Sequence, residues 1–176
     1  QDLGFFVGPQ INAASRIDNS SLASELLITN DIERIEIISR KLFLLNEKRK
    51  LIENQIFDDA NDQASKQSNM SYILVFGNNW HQGVLGIIAS KIKDIYYKPT
   101  IVISFTNNIG IGSARSIENV DLGKIILNAK SEKLLISGGG HSMAAGLKID
   151  FSNIENFKTY LEKSFSLYPK NIFNRM

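Results

Sequence analysis

The sequence predicts an α/β protein: a long N-terminal connector helix followed by an open mixed sheet of about five strands covered by helices. Two patterns predict it. From Asp31 to about Ala60 the chain contains no Pro or Gly, and Ile32, Ile35, Ile38, Leu42, Leu45, Ile52 and Ile56 recur at helical spacing. Beyond Ser71, short apolar runs of strand length alternate with helical stretches, which argues for a sheet with helices packed on it. A chain of 176 residues suffices for one domain with a sizeable core plus an extension.

In order, Gly8 to Ile17 reads as a turn-rich opening segment, because Gly8-Pro9 is strong punctuation. Ser21 is placed to cap a short helix carrying Leu22, Leu26 and Leu27. Asn30 with Glu33 forms an Asn variant of the capping box at the head of the long helix. At 1.5 Å per residue that helix would run roughly 45 Å, the length of a connector between domains. Lys41, Lys48, Arg49 and Lys50 make its middle basic, which fits a solvated face better than a DNA contact. Asn61 to Ser71 is polar and is expected to end the helix at a domain boundary.

The α/β part then begins with a buried strand at Tyr72–Phe76. A helix follows over Gly83–Tyr96, stopped by Pro99, and strands follow at Thr100–Phe105 and Ile109–Ser116. Asp121–Ala129 is a helix, Leu134–Ile136 a fourth strand and Ala145–Ile149 a fifth. Ser152 with Glu155 forms a capping box for a last helix, with Ile154, Phe157, Leu161 and Phe165 on its apolar face.

Composition narrows the function. With no cysteine there is no disulfide frame, thiolate metal site or Cys nucleophile, which fits a cytoplasmic location. No apolar run approaches the ~20 residues that span a bilayer, so no membrane partner is expected. Net charge is only +2, so a nucleic-acid contact must be local. Leu3 to Val7 reads as the interior of a longer chain, so a fragment is expected.

Three stretches carry candidate chemistry. In Ser137-Gly138-Gly139-Gly140-His141, each glycine gives up the most backbone entropy on ordering, so a turn is expected. Its bare amides, with the His141 side chain, could cradle a phosphate. The other reading is a tight turn with a core histidine. In Gly110 to Ser116, one strand face reads Ile109, Ile111, Ser113, Arg115 and the other is all small. The small face permits close approach of a backbone or ligand. Arg115 supplies a planar fork matched to phosphate, and Ser113 or Ser116 a hydroxyl. The plainer reading is a surface Arg on an ordinary strand. Trp80-His81-Gln82-Gly83 precedes a helix N-terminus, which suits an anion. Trp80 either stacks a base or packs the core edge, the latter more commonly, whereas His81 has little packing reason to be there. Two-metal hydrolysis needs several converging Asp or His side chains, and the chain holds only His81 and His141 with no Asp-x-Asp or Asp-His-His cluster. Neither catalytic nor metal-binding residues are therefore expected.

Together these stretches resemble the RecJ family of single-strand-specific DNA exonucleases, over nearly the whole chain. Gly8-Pro9-Gln10-Ile11-Asn12-Ala13-Ala14-Ser15-Arg16 is similar to a family segment, with Gln10 and Ser15 standing where the family usually has Arg and Gly. Trp80-His81-Gln82-Gly83-Val84-Leu85-Gly86, Gly112-Ser113-Ala114-Arg115-Ser116 and Gly138-Gly139-Gly140-His141 with Ala144-Ala145-Gly146 follow in family order. The resemblance implies that residues 1–20 are the tail of a missing catalytic domain bearing an Asp-His-His cluster. It makes 21–70 a connecting helical segment and 71–176 a DHH-associated α/β domain. Mn or Mg ions would belong to the missing domain, and this part alone would be inactive. The implied function is gripping single-stranded DNA for a metal-dependent 5′ to 3′ exonuclease of recombination and repair. Contacts would come from Ser113, Arg115, Ser116, Gly138, Gly139, Gly140, His141, Trp80, His81 and Arg16. Competing readings are a short-oligonucleotide or cyclic-dinucleotide phosphodiesterase, and an RNA-binding accessory module as in alanyl-tRNA synthetases. A truncated product with no activity of its own stays open as well.

Overall fold

A computed structural model describes residues 8–17 and 21–173. The expectation placed on Leu3–Val7, and parts of the 1–20 segment, lie outside the described residues. The chain divides between Gln55 and Ile56 into two compact units.

In the first unit, α1 (Gly8–Ile17) replaces the expected turn-rich segment. Pro9 is tolerated there because the first helical turn leaves its N–H groups without intrahelical partners. Ser21 opens α2 (Ser21–Ile28). The long helix α3 (Ile32–Ser65) begins after Asp31, whose Oδ1 accepts from Arg34 N at 3.3 Å, so Asp31 caps it and Asn30 does not. Ala14, Ile38 and Leu42 form a small core with Leu22, Leu26 and Leu45 packed on it. The basic middle of α3 is internally paired in part: Arg49 donates to Glu53 at 3.0 Å and Lys50 to Glu47 at 2.8 Å.

In the second unit, α3 runs past Ala60 to Ser65 because its last turns have a partner in the sheet. Gln63 donates to Phe76 O (3.0 Å) and accepts from Phe76 N (3.1 Å). Gln67, just past the helix, does the same with Leu74 at 2.8 and 3.0 Å. The polar composition of 61–71 thus marks contact with a sheet edge. The buried Lys98 ammonium donates to Ser68 O and to Met70 O (2.6 Å), tying down the turn after α3, and burial lowers its pKa.

The sheet is open and mixed, in order β1-β2-β3-β5-β4. Its strands are β1 (Ile73–Asn78), β2 (Thr100–Thr106), β3 (Ile109–Arg115), β4 (Ser137–His141) and β5 (Ala144–Asp150). Only β1 and β2 are parallel, joined by α4 (Gln82–Tyr96). α5 (Leu122–Ser131) precedes β4, and α6 (Ile154–Ser166) follows β5. α6 is entered through a short 3-10 turn capped by Asp150, which accepts from Ser152 N at 2.9 Å; the expected Ser152–Glu155 box does not form.

One main core joins Ile101, Ile103, Leu147 and Ile149 to Leu122 and Ile126 of α5 and to Phe157, Leu161 and Phe165 of α6. α4 lies on the opposite face, its Gly86 against Ser113 and Arg115 of β3. Among the described residues no helix is long and apolar enough to cross a membrane.

Candidate nucleic-acid interface

The glycine run is a strand, not a turn. Ser137–His141 forms the edge strand β4, paired antiparallel with β5, and the reversal falls at Ser142-Met143. The expected strand at Leu134–Ile136 therefore lies one step further on. The glycines are ordered because packing demands them. A Cβ at Gly138 would sit 2.8 Å from Ile126 Cγ2, and one at Gly140 only 2.3 Å from Ala144 O. At Gly123, on α5, it would sit 2.8 Å from the His141 carbonyl carbon. Bare backbone lets α5 seat directly on β4. Gly139 differs: the nearest atom to its Cβ, on Leu127, is 4.0 Å away.

The register aligns three cross-strand rows on one face. Arg115, Ala144 and His141 form the first, Ser113, Gly146 and Gly139 the second, and Ile111, Lys148 and Ser137 the third. α4 covers the β2–β3 side of this face. Gly146, Lys148, Ser137 and His141 are exposed beyond it. Only alternate residues of an antiparallel pair exchange ladder bonds, so β4 presents part of its amides away from β5. The all-small face of β3 is the buried one. Ile103, Phe105, Leu147 and Ile149 fill the space beside Gly110 and Gly112, so their smallness serves packing, not ligand approach.

Arg115 is held by its own strand. Its Nη1 donates to Ala114 O at 2.8 Å and to Ser113 Oγ at 3.2 Å. Its guanidinium also lies against α4, where a Cβ on Gly86 would come within 2.8 Å of Nη2. The planar fork is thereby held half-buried beside Ser113, at the border between α4 and the open part of the face.

Ser113, Arg115, Gly139 and His141 share this face, whereas other predicted residues are engaged elsewhere. Ser116 is buried, and its hydroxyl donates to Val120 O at 2.8 Å. Trp80 packs the core edge: its indole covers Gly77, where a Cβ would fall 2.1 Å from Cε2, and its carbonyl accepts from buried Ser104 at 2.7 Å. His81 has a structural task, since its Nδ1 accepts from Gly83 N at 3.2 Å and caps α4. Arg16 lies on α1 in the first unit. Sequence reading missed Lys148, Ser137 and Gly146, which share the open face. The period-2 alternation of Gly146 and Lys148 with buried Leu147 and Ile149 was the signal available.

Among the described residues no group of three or more His, Cys, Asp or Glu side chains is placed to hold a metal ion.

Residues 69–167 match the DHHA1 domain family. The chain is 37% identical over 166 residues to the single-stranded-DNA-specific exonuclease RecJ of Haemophilus influenzae, covering 89% of this chain and 29% of that protein. The crystal structure of RecJ with Mg2+ from Thermus thermophilus superposes with a TM-score of 0.86 at 28% identity, over 96% of this chain and 26% of that one. A RecJ exonuclease structure bound to manganese gives 0.85 at 27% identity, over 99% of this chain and 43% of that one. The chain thus spans less than a third of the length of the curated relatives it matches.

Proposed function

This chain belongs to the DHHA1 domain family, and from that premise we propose that it is the substrate-gripping part of a metal-dependent 5′ to 3′ single-strand DNA exonuclease of recombination and repair. Hydrolysis and its Mn or Mg ions belong, on this reading, to a catalytic domain outside this chain. The chain alone binds single-stranded DNA without cutting it. The enzyme works in the cytoplasm.

The observation that carries the reading is the register of the sheet, where half-buried Arg115 and Ser113, at the border of α4, share rows with His141 and Gly139 on the half that α4 leaves bare. A phosphate on this face meets the Arg115 fork and the Ser113 hydroxyl. Edge amides of β4 and the His141 ring add donors. Gly139, with no packing reason to lack a side chain, lets the nucleic-acid backbone lie flat on the strand. None of these groups makes or breaks a bond; they position the strand.

Fluorescence anisotropy of a short 5′-phosphorylated oligonucleotide, titrated at several salt concentrations, tests this. One charge-assisted contact contributes roughly 1.5–3 kcal/mol, so Arg115→Ala should weaken binding about tenfold or more. It should also lower the salt slope by about 0.7. An Arg115→Ala variant that binds like the parent at every salt concentration would make residue 115 an ordinary surface Arg.

A further inference from the structure

We propose that the cleft beside Lys130 and Lys148 is a second phosphate position, one nucleotide along the strand from the Arg115 site. This rests on reading the open sheet face as a single-strand DNA interface. The cleft, about 530 Å³, is lined by Ile111, Lys130, Ser137, Gly139, Gly146 and Lys148 among others. No Asp or Glu is among the described residues that line it. Lys148 stands on β5 between Ile111 and Ser137 in the third row. Lys130 comes from the last turn of α5. Both are exposed, and no carboxylate among the described residues pairs with either. An anion in a cleft lined by two cations and no protein carboxylate is attracted to both.

Spacing identifies the anion as a neighbouring link of one chain. The Arg115 guanidinium folds back onto Ser113, so its charge sits over the second row. The third row lies two residues further along the strands, about 6.8 Å. That is the scale of one extended nucleotide. The floor between the rows is flat, since Gly139 and Gly146 carry no side chain although the nearest atoms to a Cβ are 4.0 and 3.9 Å away. Half-buried Ile111 gives the intervening sugar an apolar seat, and Ser137 adds a hydroxyl donor.

The test uses the 176-residue chain and a fluorescent oligonucleotide in which each phosphodiester link in turn is a neutral methylphosphonate. The double variant Lys130→Ala/Lys148→Ala should weaken binding about threefold or more and lower the salt slope by about 0.7. Neutralising one particular link should weaken the parent equally and the double variant no further. That link should adjoin the one whose neutralisation has no further effect in Arg115→Ala. If the double variant binds like the parent, or its loss couples to no single link, while Arg115→Ala still weakens binding, the second position is wrong and the reading of the face stands. If Arg115→Ala also changes nothing, the reading of the face fails and takes this proposal with it.

Discussion

Arg115 and His141 both stand in register with Ala144, one on each side of β5. Two motifs 26 positions apart in sequence thereby become one row, about 10 Å across at two strand spacings. The alignment depends on an antiparallel ladder, so any change that shifts β4 or β3 by one residue turns one of the pair to the buried face.

Gly86 gives a way to disturb Arg115 without touching it. A Cβ there falls 2.8 Å from Arg115 Nη2 and 3.1 Å from Ser113 Oγ, both ends of side chains that can swing aside. Ala is the better helix former by about 1 kcal/mol, so Gly86→Ala should keep or raise the melting temperature. It should nevertheless shift single-strand binding toward that of Arg115→Ala. Parent-like affinity in Gly86→Ala would show that the orientation of the guanidinium does not matter.

Gly139 and Gly140 are neighbours with opposite reasons for being glycine. Gly140→Ala drives a Cβ to 2.3 Å from Ala144 O, against backbone that cannot yield, and should cost about 1–3 kcal/mol in urea unfolding. At Gly139 the nearest neighbour of a Cβ is Leu127, at 4.0 Å, so Gly139→Val should unfold close to the parent. Its effect should appear in binding, as weaker affinity with an unchanged salt slope, because no charge is lost. Equal destabilisation by both substitutions would contradict the distinction.

Much of the architecture was legible in the sequence because period is a strong signal. An apolar run marks β1, period-2 alternation marks β3, and the 3.6 spacing marks α3, α4 and α6. The glycine strand was illegible, since local entropy argues against it and only the tertiary approach of α5 at Gly123 and Ile126 overrides that cost. The end of α3 was misplaced for a similar reason: polar Gln63 and Gln67 look like a loop until a sheet edge is beside them. In the candidate site, alternation put Ser113 and Arg115 on one face correctly. Ser116 falls on the other face by the same rule, and Trp80 and His81 turned on contacts with Gly77 and Gly83 that no local pattern encodes.

The glutamine pair replaces a missing strand at the β1 edge. Gln63 and Gln67 each donate to and accept from one backbone residue, Phe76 and Leu74. Leu at both positions leaves these groups unpaired or wetted, at about 1–3 kcal/mol for each buried orphan. Gln63→Leu/Gln67→Leu should therefore lower stability in urea unfolding and, by exposing an edge strand, promote self-association in sedimentation. Single Gln→Glu changes keep only the acceptor and should fall between. An unchanged unfolding midpoint in the double variant would mean that the four bonds add nothing to water's.

Tyr72 ties stability to alkaline pH. Its ring is buried and stacks on Phe165 at a centroid distance of 4.9 Å, with its hydroxyl 3.4 Å from Lys158 O. Burial, and secondarily the charge of Glu162, push its pKa up to about 12. An unfolded tyrosine titrates near 10. Between these values the unfolded chain has lost a proton that the folded chain keeps, so folding stability falls as pH rises. The contribution is complete below about pH 10 and is lost as pH climbs through the folded value. Lys98, with its lowered pKa, works in the opposite direction, but it is present in both proteins being compared. Tyr72→Phe keeps the stack and removes the titration, giving up only the long hydroxyl contact. Near pH 8 the variant should be equal to the parent or slightly weaker in urea unfolding. Near pH 11 it should lose less stability than the parent does, so the difference between the two narrows or reverses. The remaining tyrosines and lysines titrate alike in both proteins and cancel in that difference. A gap between parent and variant that is the same at both pH values would show that Tyr72 is as free to ionise in the folded chain as in the unfolded one.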